Sequence, residues 1–137
     1  MTDEYAALAA GPVVLGWDSS AGAGAAQTTA RQLFPTRDLL LGSVGGDATE
    51  ETTAVATTGD QSVTAVEVHS GLGAPGRAVA EALTAFARDR GAALLMVGSR
   101  GRSAVRKILL GRVAIAAVHR AHRPVMVVPR NPTDRGD

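Results

Sequence analysis

Three glycines and a run of cations in the last third of the chain have the types and spacing of an anion site. Gly98, Gly101 and Gly111 lie in the stretch Val97 to Arg112, together with Arg100, Arg102, Arg106, Lys107 and Arg112 and without a single acid. Gly98 and Gly101 are three apart and allow a tight backbone turn, which aims successive N–H groups into a concavity that suits phosphate. Gly111 precedes Arg112-Val113-Ala114, the first turn of a helical pattern, and a helix N-terminus adds free N–H groups and a partial positive charge. One segment thus carries two anion-binding devices. The plainer reading is a solvated basic connection whose glycines only cap and turn. A second candidate is Asp18, at the end of an apolar run and followed by Ser19 and Ser20. It either hydrogen-bonds the ribose or base of a nucleotide, or it serves as N-cap or Asx turn for the helix that follows.

Positioning these residues requires a regular alternation of elements. Pro12–Asp18 and Asp38–Gly46 read as buried strands, and Ala21–Phe34 between them has helical composition. Asp47–Asp60 is polar and Thr-rich, and reads as a short helix around Ala48–Ala56 or a mobile loop. Ser62–Ser70 is a β-branched third strand. Gly73–Gly91 is the clearest helix, with Val79, Leu83, Phe86 and Ala87 on one face and Gly91 as its stop. Ala93–Gly98 is a fourth strand. Lys107–Arg123 is helical at least from Gly111, and Pro124–Pro129 is a fifth strand between prolines. The tail from Arg130 reads as disordered. Continuous apolar strands alternating with helices imply a parallel sheet covered on both faces. Such a sheet binds ligands at a switch point, beyond the carboxyl ends of its strands. Gly98 closes the fourth strand, so the glycine-rich stretch falls at that edge. The first and fourth strands are commonly neighbours there, which brings Asp18 to the same crevice.

Composition narrows the partners. A chain of 137 residues, 45% apolar but only 3% aromatic, builds one domain with an ordered core of about 11–130 from Val, Leu, Ile and Ala. It contains no cysteine, which removes disulfides and thiolate metal sites. No apolar run approaches the length of a membrane span. The N-terminal residues carry acids and no basic n-region, so the expected compartment is the cytoplasm. The net charge of +1 conceals an asymmetry: Arg90 to Thr133 holds nine Lys or Arg and no Asp or Glu. Such a field favours an anionic ligand or nucleic acid, but without interleaved aromatics the nucleic-acid reading is weak.

Gly98-x2-Gly101-x9-Gly111 resembles the nucleotide-binding signature of the universal stress protein family, G-x2-G-x9-G-(S/T). The flanking stretches "VVLGWDSS", "ALLMVGSRGRS" and "AHRPVMVVP" agree, and the resemblance covers roughly Pro12 to Pro129. It implies a five-stranded parallel doubly wound sheet of order 3-2-1-4-5, the adenine nucleotide alpha hydrolase-like arrangement. It also implies ATP, with or without Mg²⁺, and a homodimer through the last strand, Val125 and Val127 included. In that resemblance Asp18 and Ser19 lie near the nucleoside, and adenine lies near the end of the second strand, within Gly42–Val44. Gly98, Ser99, Arg100, Gly101, Gly111, Arg112 and Val113 surround the phosphates. The sequence departs from the family twice. Arg112 stands where the family has a hydroxyl, and the segment between the second and third strands is short, which predicts a reduced second helix.

Rival motifs are fewer. "GLGAPG", Gly71–Gly76, is literally G-x-G-x-x-G after a strand and before a helix, the form of an NADP-type site. Pro75 interrupts it, and it follows the third strand rather than the first. His119 and His122 share a helix and His69 stands apart, a pattern expected of surface residues rather than metal ligands. Trp17 either packs into the core or stacks on a base. The readings that remain are an adenine-nucleotide module with a stress-response or regulatory role, and an interaction protein of the same fold without nucleotide. A hydrolysing enzyme would need a base or metal ligand that the sequence does not display, so at most weak ATP hydrolysis is expected.

Overall fold

A computed structural model describes residues 10–17, 21–45, 51–58, 61–69, 75–99, 112–121 and 123–129. Six strands form one sheet: β1 (Val13–Gly16), β2 (Leu39–Gly45), β3 (Glu51–Thr58), β4 (Gln61–His69), β5 (Leu94–Gly98) and β6 (Val125–Val128). Three helices join them: α1 (Ala21–Leu33), α2 (Pro75–Asp89) and α3 (Arg112–Arg120). The sheet order is β3-β4-β2-β1-β5-β6. Its five parallel strands, β4-β2-β1-β5-β6, are the third, second, first, fourth and fifth of the sequence reading, so the expected order 3-2-1-4-5 holds.

The departure is β3. The sequence reading put a short helix or a loop around Ala48–Ala56, and the structure has a strand there, antiparallel to β4 at the sheet edge. The residue types explain the outcome. Glu51–Thr58 contains four threonines and a valine. β-branched side chains lose rotamer freedom in a helix and fit a pleated surface well. The register of β3 against β4 shifts between Ala54 and Ala56, an irregularity of the bulge kind. The tail from Arg130 lies outside the described residues.

Each of the first two helices ends for a readable reason. Pro35 follows α1 closely, and the Phe34 N–H still donates to the Ala30 carbonyl. Gly91 has φ of 61° just past α2. There the Ala92 N–H donates to the Ala87 carbonyl at 2.9 Å and the Gly91 N–H to the Arg88 carbonyl at 3.1 Å. Those two bonds are the Schellman pair that closes a helix on a left-handed residue.

The sheet is packed on both faces. Ala26 and Ala30 of α1 lie against Val13, Leu15 and Met96 on one face. Ala80 and Leu83 of α2, with Ala114 of α3, lie against Val14 and Val97 on the other. This division follows from right-handed crossovers. The step from β1 to β2 runs one way across the sheet, and the steps from β4 to β5 and from β5 to β6 run the other. Below the sheet, at the amino ends of its strands, polar bonds lock the connection after α1. The Gln61 amide, 4% exposed, donates to the Phe34 and Arg37 carbonyls, and the Asp38 carboxylate accepts from the Ser62 N–H.

One contact fixes how near α2 comes. Gly16 and Gly42 are register partners on β1 and β2. A Cβ built on Gly16 would lie 3.0 Å from Leu83 Cδ1, and one on Gly42 would lie 3.0 Å from Leu83 Cδ2. Leu83 is 1% exposed, so it fills the hollow that the two missing side chains leave. Leu83→Ala is expected to cost about 2–5 kcal/mol, and Gly42→Ala about 1–3 kcal/mol through overpacking. Urea unfolding of both single variants and the double variant checks the link. The Gly42→Ala cost should shrink by at least about 0.5 kcal/mol once Leu83 is truncated; strictly additive costs would contradict the contact.

Candidate functional site

The crevice lies where the sheet changes direction. β1 pairs with β2 on one side and with β5 on the other, in register from Val13↔Leu94 to Leu15↔Met96. The crossovers that leave β1 and β5 go to opposite sides, so the chain segments beyond these two strands part there. Gly98 is the last residue of β5 and pairs with Val128 of β6. Ser99 follows and is 7% exposed. Its N–H donates to the Val128 carbonyl at 2.8 Å. That donor is therefore spent on the sheet.

On the opposite rim α3 begins at Arg112. Val113, in its first turn, is half-buried and packs against the core on the α2 side of the sheet. Val44, one residue before the end of β2, is half-buried against that same core. The structure thus brings Gly98, Ser99, Val44 and the start of α3 to the carboxyl edge of one sheet. Asp18, Ser19, Arg100, Gly101 and Gly111 lie outside the described residues, as does the side chain of Arg112. The chain enters the first of these gaps from Trp17, whose N–H donates to the Gly42 carbonyl at 2.9 Å. Trp17 itself is half-buried and packs with the α1-side core.

Other candidates separate from this edge. Residues 71–74 of the G-x-G-x-x-G stretch lie outside the described residues, and Pro75 and Gly76 open α2. That motif follows β4, which stands two strands away from β1 and so off the switch point. His119 is exposed on α3 and His122 lies outside the described residues. Among the described residues no three His, Cys, Asp or Glu side chains come together as a metal site. No described helix is long and apolar enough to cross a membrane.

Two features of the site's support were not read from the sequence. The first is the Leu83 seat below Gly16 and Gly42. Its signal was available, because an isolated glycine inside a strand marks a close approach. The second is the Glu81 carboxylate, which accepts from Arg77 Nε one turn earlier on α2 and from Arg120 Nη1 on α3, both at 3.1 Å. The first pair is readable from its i, i+4 spacing, whereas the second exists only once α3 lies beside α2. All three side chains are substantially exposed, so the tie is weak. Alanines do most of that packing: Ala114 and Ala117 of α3 are 1% and 0% exposed. Glu81→Gln is expected to lower stability by less than about 1 kcal/mol in thermal or urea unfolding. A larger loss would make the ion pair, not the alanine seam, the anchor of α3.

A model of the universal stress protein family matches residues 25–129. No curated protein gives a significant match. Three of the solved structures that share the fold illustrate the likeness. Hypothetical protein MJ0577 is 17% identical, with 88% of this chain and 96% of that one covered and a TM-score of 0.66. A universal stress protein in complex with cAMP is 22% identical over 88% of this chain and 98% of its own, with a TM-score of 0.57. The universal stress protein from Archaeoglobus fulgidus is 17% identical over 85% of this chain and 97% of its own, with a TM-score of 0.53.

Proposed function

The chain belongs to the universal stress protein family, and from that premise we propose that it is a single-domain adenine-nucleotide module with ATP as its first ligand. One observation carries the reading. Gly98, the first glycine of the G-x2-G-x9-G spacing, closes β5 beside β1, and Arg112, just past the last glycine, opens α3. Both halves of an anion site thus stem from elements bordering one crevice. The fit is chemical as well as spatial: the half-buried surfaces of Val44 and Val113 suit the apolar parts of a nucleotide. The solved relative that holds cAMP supports an adenine nucleotide as the ligand class.

In this reading the backbone N–H groups at Gly101 and Gly111 hold phosphate, along with those of the loop from Arg100 onward. The N–H of Ser99 is committed to Val128, so Ser99 offers its hydroxyl. Gly98 supplies the turn, and Val113 lies where the first turn of α3 meets the phosphates. Asp18 and Ser19 serve the ribose or base, and Val44 lies against the base. Arg112, in place of a small hydroxyl, clamps phosphate from the helix start. Mg²⁺, if present, travels on the phosphates. The module works in the cytoplasm and acts through conformation and dimer contacts rather than turnover. Its dimer surface is β6, an outer strand of the sheet whose Val125 and Val127 are only half-buried.

Calorimetric titration of nucleotide-stripped protein with ATP, ADP, AMP and cAMP tests the reading. Binding is expected, weakening as phosphates are removed. No heat and no thermal shift at millimolar nucleotide would leave a dimeric interaction protein of the same fold instead. Arg112→Ser is expected to weaken ATP about tenfold, the effect of losing one charge-assisted contact. A gain in affinity would instead make Arg112 an obstruction.

A further inference from the structure

We infer that residues 1–9 fold back as a helix over the α1 side of β2 and β4, where the crossover between those strands supplies no helix. This inference is independent of the nucleotide reading. A parallel strand needs cover on both faces. α1 packs on β5, β1 and β6, and β2 and β4 lie beyond it in the sheet. A right-handed crossover from β2 to β4 steps the same way as the one from β1 to β2, so a helix within it would lie on the α1 side. This chain uses that crossover for β3, which extends the sheet instead of covering it. Leu41 of β2 and Val63 of β4 belong to the α1-side cluster, and they are only 4% and 2% exposed.

The residues that lead into β1 identify the cover. Ala10, the first described residue, is helical. One residue makes no turn, so its helix continues back into residues 1–9. Gly11 and Pro12 then end it. The exit is pinned beside β2: Arg37 Nη1 donates to the Gly11 carbonyl at 2.8 Å, and the Val13 N–H to the Asp38 carbonyl at 2.9 Å. The segment has the pattern of an amphipathic helix, with Tyr5, Leu8 and Ala9 at i, i+3 and i+4 and Asp3 on the opposite side. Thr2 is a good N-cap type, and Asp3 and Glu4 follow it in the first turn, where the helix dipole favours acids. So short a helix does not hold in water alone and has to dock. Its length suits the face. From Thr2 to Ala10 it spans about 14 Å at 1.5 Å per residue, which covers about four strand residues at 3.3 Å each. Counted from Gln61 at the amino edge, that reaches Ala65. Exposure along this face of β4 has the same limit: Val63 is buried, Ala65 half-buried and Glu67 exposed.

The chain has no cysteine, so an introduced pair in the whole protein reports on the docking directly. Thr2→Cys with Glu67→Cys leaves Tyr5, Leu8 and Ala65 in place and probes the far end of the helix. A short bismaleimide should join the two within one chain at low protein concentration. Cross-linked dimers in place of that product would assign the face to a second copy, and an absence of both products would put the segment elsewhere; either result overturns the inference. Hydrogen exchange gives a second readout. In the unmodified protein the amides of residues 5–9 should exchange at least about tenfold more slowly than in an unstructured chain. Leu8→Asp should abolish that protection, and Leu8→Met, which keeps the apolar contact, should retain it. Unprotected amides in the unmodified protein, or protection that survives Leu8→Asp, would show that the segment does not dock through its apolar face.

Discussion

The seating of Leu83 on two glycines is the constraint from which the α2 face of the sheet is built. Each Leu83 methyl approaches the backbone of a different strand, Gly16 on β1 and Gly42 on β2. A side chain at either position would hold α2 away. With α2 at that height, Phe86 and Ala87 close the layer below and Ala80 the layer toward the crevice. Arg90, just past the helix end, lies over the Phe86 ring at 4.8 Å from its centroid. α3 then packs mainly on α2 rather than on the sheet. The start of α3 is positioned through α2, so the rim of the crevice depends on the Leu83 contact at one remove.

The opposite face uses a different solution. α1 offers alanines where a larger helix would offer leucines: Ala23, Ala26 and Ala30 are all nearly or fully buried. Small side chains bring helix and sheet together, and Leu15, Met96 and Leu39 supply the volume from the strands. With so few aromatic residues available, close approach replaces bulk on both faces. The same economy leaves α3 with Ile115 and Val118 exposed, at 44% and 53%, on a helix otherwise buried through alanines.

Much of this was legible in the sequence. The apolar runs at Val13, Leu39, Leu94 and Val125 became parallel strands because an uninterrupted apolar strand must be covered on both sides. The period through Val79, Leu83, Phe86 and Ala87 named the buried face of α2 before any contact was known. Gly91 was readable as the stop because a left-handed residue is needed there. The stretch around Ala48–Ala56 was misread, since its polar character suggested loop or short helix. Its threonines and valine found a partner in β4, which is a fact of the sheet and not of the segment.

The sequence by itself determined the alternation of elements, the family signature and the edge on which its glycines fall. Those are local properties: periodicity, turn chemistry and spacing along one chain. Only the tertiary structure decided that Ser99 spends its N–H on Val128, that Glu81 reaches Arg120, and that Leu83 meets Gly16 and Gly42. Each of these joins residues at least 29 positions apart along the chain. No pattern within a segment encodes such a meeting. It is set by how closely two glycines let one leucine approach.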